Sequence, residues 1–80
     1  MKILGNTLYV TTPDAYLSLD GENVVIQKCG AELRRVPLHN LDGIAAFGYT
    51  GASPALMGAC AGHGIALTFL SMHGRFLARV

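Results

Sequence analysis

The chain has 80 residues, a net charge of +1 and a sequence pI of about 7.8. Charged residues make up only 14% of it, against roughly 25% in an average soluble domain, while hydrophobic residues reach 51% with a mean hydropathy of +0.40. At this charge, composition alone does not predict nucleic-acid binding, and no apolar run reaches the ~18 residues of a membrane span.

Met1 to Gly5 carries one charge and too short an apolar stretch for a signal peptide. Leu8–Thr12 is rich in aromatic and β-branched residues and stops at Pro13, as a strand does. Tyr16–Leu19 alternates, Asp20-Gly21-Glu22-Asn23 has strong turn chemistry, and Val24–Lys28 reads as the returning strand of a hairpin. Gly30 turns the chain again into Leu33–Val36, closed by Pro37, and 38–42 reads as an irregular or single-turn connection. The second half reads strand (Ile44–Phe47), helix (about 53–63), strand (Ile65–Leu70), then a turn at Ser71–Gly74 into a last strand, Arg75–Val80. The expected fold is mainly β (α+β), a small sandwich-like domain of short strands with one apolar helix inserted. The strands flanking the helix are expected to pair in parallel. The chain stops at Val80 inside an apparent strand, as a piece of a longer chain would.

Ser53 is a good N-cap, Pro54 suits the first helical position, and Gly62 or Gly64 supplies the left-handed C-terminal residue. No charge stands between Ser53 and Gly62, so the helix is expected to be covered on nearly every side. A domain this small buries only about 60% of its unfolded surface, which assigns some of the cover to another domain or subunit. Ala55, Gly58, Ala59 and Gly62 form a nearly bare stripe at i, i+3, i+4 and i+7. Such a stripe fits close packing on the domain's own sheet, with a dimer or interdomain contact as the alternative.

Catalytic chemistry is sparse. Asp14, Asp20, Glu22, Glu32 and Asp42 all lie in or beside turns, and none pairs with another as general acid and base. His63 suits a helix C-terminus, where the dipole favours a cation; His39 and His73 fall in connections. Cys29 and Cys60 match no close-spaced metal or redox motif, and reduced thiols in the cytoplasm are the default. Arg34 and Arg35 should point to opposite faces of their strand, while Arg75 and Arg79 should share one. Strand arginines can grip phosphates or simply solvate an edge, and Tyr9, Tyr16 and Tyr49 can stack on bases or fill packing.

Longer stretches carry a resemblance. The run from Asn6 through Leu8-Tyr9-Val10-Thr11-Thr12-Pro13-Asp14-Ala15-Tyr16 to Asn23 resembles the opening of Cas1, the CRISPR adaptation endonuclease and integrase subunit, in its type I-C branch. Val36–Leu41, Phe47–Met57 and Gly74–Val80 keep the order and spacing of that family, so the resemblance covers essentially the whole chain. It implies an N-terminal β-domain, residues 1–80, followed in the parent by a helical domain with a divalent-metal site (magnesium or manganese) built from Glu, His and Asp. None of those ligands maps onto this chain, so neither catalytic nor metal-binding residues are assigned here. The resemblance further implies a homodimer and assembly with the small subunit Cas2. It also implies contact with double-stranded DNA, protospacer and CRISPR repeat, during spacer insertion in antiviral defence. Tyr16, Arg75 and Arg79 are the candidate DNA contacts, and Ala55, Gly58, Ala59 and Gly62 the candidate dimer or interdomain stripe. The competing reading is a stand-alone homodimeric β-type interaction module with no nucleic-acid role.

Overall fold

A computed structural model describes residues 1–80, and two mixed sheets and one helix divide the chain between them. The five-stranded sheet runs in the order β1 (Lys2–Leu4), β2 (Thr7–Val10), β6 (Gly43–Phe47), β8 (Ala66–Leu70), β9 (Phe76–Arg79). The four-stranded sheet runs β5 (Ala31–Pro37), β4 (Asn23–Lys28), β3 (Tyr16–Asp20), β7 (Gly51–Ala52). A single 3-10 turn, Leu38–Asn40, links β5 to β6.

The α+β architecture matches the expectation, including the parallel pairing of β6 with β8 on either side of the helix. Two strands escaped the reading. β1 and β7 are three and two residues long, too short for alternation to show, and each exists only because a partner strand supplies its hydrogen bonds. β5 also begins earlier than expected, at Ala31, and keeps Pro37 because it is an edge strand whose missing N–H costs no ladder bond.

Period-2 alternation sets the core. Leu8, Val10, Ile44, Ala46 and Leu67 point inward from the larger sheet and meet Leu17, Val24, Ile26 and Val36 from the smaller. Leu56 and Cys60 of α1 (Pro54–His63) close the same cluster, and the helix touches β3 of one sheet and β8 of the other. Its caps follow the residues that predicted them. Ser53 Oγ accepts from the Leu56 N–H at 3.1 Å, and Gly64 ends the helix at φ 70°.

The tight turn between β4 and β5 places Cys29 at φ 52° and Gly30 at φ 79°. Both positions are left-handed, a geometry that asparagine and glycine tolerate and cysteine does not. Cys29 is exposed and forms no disulfide. Cys29→Asn should therefore raise stability by about 0.5–1 kcal/mol, read as a melting temperature a few degrees higher; an unchanged or lower value would show that the turn carries no strain.

Candidate nucleic-acid interface

The helix is not enclosed. Leu56 and Cys60 are fully buried and Met57 and Ala59 half-buried, whereas Ala55, Gly58, Ala61 and Gly62 face solvent. The absence of charge overstated the need for cover, because residues with one side-chain carbon or none expose little apolar area. Most of the stripe also does not pack on the domain's own sheet: a Cβ added at Gly58 or Gly62 would meet nothing within 4 Å, and only Ala59 is packed against the core. The buried face is instead the Leu56–Cys60 line, and burial pushes the Cys60 thiol pKa up by penalising its thiolate.

The three candidate DNA contacts do not converge. Tyr16 is paired with Gln27 and Gly51 on the outward face of the four-stranded sheet, its ring so close over Gly51 that a Cβ there would stand 2.9 Å from Tyr16 Cδ1. Arg79 is paired with Thr68 on the outward face of the other sheet, and its Nε donates to Thr68 Oγ1 at 3.3 Å. Arg75 lies before β9, in the turn closed by its own N–H to Ser71 Oγ at 3.1 Å. Nor do Arg75 and Arg79 share a face. The pairing slips between Phe69 and Leu70, opposing Leu70 to Phe76 and Phe69 to Ala78. That bulge inserts a residue and breaks the alternation on which the expectation rested.

Arg34 and Arg35 do lie on opposite faces, paired with Ile26 and Val25. Arg35 is engaged: its guanidinium reaches Asp20 at 2.6 Å and Glu32 at 2.9 and 3.3 Å. The hydrogen bonds from Arg35 hold the Glu32 carboxyl below the ordinary glutamate range. The sequence paired no charges here because Asp20 and Arg35 belong to different strands. His63 ends the helix as expected, 3.7 Å from Glu22.

Nowhere do three His, Cys, Asp or Glu side chains come together. These residues do not fit a metal site, and no metal-assisted step can be derived from them. No helix is long and apolar enough to cross a membrane.

Two facing mixed sheets, a capped helix with a mostly bare outward stripe and scattered surface cations define a small α+β domain. Comparison with known proteins fixes its family. The model of the CRISPR associated protein Cas1 family matches residues 8–80, and the chain belongs to that family. It is 52% identical over 80 residues to the CRISPR-associated endonuclease Cas1 2 of Rhodospirillum rubrum, an alignment that takes in 100% of this chain and 23% of the relative. The chain thus spans about a quarter of the length of the curated relatives it matches. Among solved structures, a partial Cas6-RT-Cas1–Cas2 complex superposes with a TM-score of 0.84 at 18% identity, over 96% of this chain and 23% of that one. The structure of a TtCas1–DNA complex superposes with a TM-score of 0.76 at 16% identity, over 99% of this chain and 30% of that one. Those two likenesses speak to the fold.

Proposed function

We propose that this chain is the N-terminal β-domain of a CRISPR adaptation integrase, acting as its dimerisation and DNA-positioning module. The family match over residues 8–80 carries the reading. The relatives it aligns with are endonucleases, and structural neighbours were solved with Cas2 and with DNA. In the whole protein, a helical domain beyond this one would hold the divalent metal and perform the phosphodiester chemistry. The partners in this reading are a second copy, Cas2, and the duplex DNA of protospacer and CRISPR repeat, all in the cytoplasm. The type I-C branch is proposed on the runs Asn6–Asn23 and Phe47–Met57.

Within this reading, Ala55, Gly58, Ala59 and Gly62 form the contact to a second copy or to the helical domain, supported by the exposure of Ala55, Gly58 and Gly62, while Ala59 is half-buried against the core. Tyr16, Arg75 and Arg79 are separate DNA contacts on different parts of the surface. The test is duplex binding by fluorescence anisotropy across a salt series. Binding should weaken as salt rises, and Arg75→Ala and Arg79→Ala should each flatten the log–log slope by about 0.9, the counterion contribution of one phosphate. No binding at low salt would leave the chain a protein-interaction module alone.

A further inference from the structure

The two sheets present different faces to solvent. The four-stranded sheet shows Tyr16, Ser18, Asp20, Gln27 and Arg35, a mixed polar surface tied together by the Arg35 ion pairs. The Arg35 guanidinium is already met by the carboxylates of Asp20 and Glu32.

The outward face of the five-stranded sheet is different, and the strand register shows why. Lys2, Tyr9, Ala45, Thr68 and Arg79 are aligned across all five strands. Direct cross-strand partners share a face, so this row has a cation at each end and an aromatic ring near one of them. A second row, two residues along the strands, holds Phe47, Leu70 and Phe76. Phe76 is 59% exposed, and Tyr9, Phe47, Thr68 and Leu70 are half-buried. None of the five carboxylates stands in either row.

Three rings and two cations without an acid form a chemically biased surface. A second copy docked on it would bring like charges together with nothing to neutralise them, which disfavours self-pairing here. A polyanion with flat apolar groups is the complementary ligand. In a duplex the bases are stacked at 3.4 Å per strand and present no free ring face, whereas on this sheet Phe47 and Phe76 stand two strands apart in one row, about 10 Å, and Tyr9 lies one strand and one row from Phe47, about 8 Å. Rings at those separations suit bases already spread from one another. We propose that this face binds single-stranded DNA, with Tyr9, Phe47 and Phe76 stacking on unpaired bases and Lys2 and Arg79 meeting phosphates. The inference deepens the DNA-positioning reading and rests on it for the choice of DNA.

The test titrates the 80-residue chain into a fluorescein-labelled oligodeoxythymidine, with a duplex of equal length in parallel. Phe76→Ala, which empties no core position, should weaken single-strand binding about tenfold, and Tyr9→Ala should act alike. Arg79→Ala should flatten the salt slope by about 0.7. A bromouracil-substituted strand should photo-crosslink to Tyr9, Phe47 or Phe76. Thermal melting of each variant identifies any that loses binding by unfolding, and for those the crosslink on the unmodified chain decides. Duplex binding without single-strand binding would overturn this inference and leave the positioning reading intact. Single-strand binding alone would do the reverse. Loss of self-association in Phe76→Ala would assign the face to a protein partner and overturn the proposal.

Discussion

Leu56→Ala should be the most damaging single change in the helix. Leu56 is fully buried and belongs to the cluster that both sheets and the helix share. Truncating a leucine there removes its transfer free energy and leaves a cavity between elements that cannot close without moving a sheet, at a cost of about 2–5 kcal/mol. For a domain of this size, with total stability near the low end of ~5–15 kcal/mol, the melting temperature should fall by roughly 8–40 °C. The damage should also be global, because the helix is the element that touches both β3 and β8. Circular dichroism melts of Leu56→Ala and of Ala55→Ser, an exposed change one residue away, check this. A drop of only a few degrees in Leu56→Ala would mean that the helix packs loosely enough to collapse onto the gap, and that the sheets hold the fold without it.

Most of the fold was legible because its signals are local. Ser53-Pro54 and the pair Gly62 and Gly64, of which Gly64 is the cap, marked the helix ends by cap chemistry, and Asp20-Gly21 marked the β3–β4 hairpin, with Gly21 at φ 62° in the loop. Alternation of Leu8 and Val10 with Thr7 and Tyr9 revealed a half-buried strand. What failed was whatever depends on partners distant in sequence. Gly51–Ala52 becomes a strand only because Ala15 and Leu17 accept hydrogen bonds from Gly51 and Ser53. The β9 bulge, invisible in Arg75–Val80 read alone, moved Arg75 off the face of Arg79. The candidate contacts were chosen by residue type, and type does not say which sheet or side a residue reaches. Tyr9 was one aromatic among three until the register lined it up with Lys2 and Arg79. The family resemblance added what geometry could not, since scattered carboxylates and histidines give no chemistry of their own.

The outward stripe gives a prediction in which two measured quantities move in opposite directions. Gly58 sits in mid-helix, exposed, with open space where its Cβ would stand. Gly58→Ala should therefore stabilise the fold of this chain by about 1 kcal/mol, the difference in helix propensity. If the stripe is the dimer contact, even a methyl group meets its symmetry mate, and Gly58→Leu should separate the helices far more. Light scattering over a range of concentrations should show a stable dimer for the unmodified chain, weaker association in Gly58→Ala, and about a hundredfold or greater loss in Gly58→Leu. Melts of Gly58→Ala in the monomeric range should still show the higher stability. Fold and association would then be governed by opposite demands on one residue, with glycine retained against helix propensity because a second surface needs the space. A dimer unaffected by Gly58→Leu would move the contact off this helix, and a monomer at every concentration would remove the dimerisation role from this chain and leave the stripe to the helical domain.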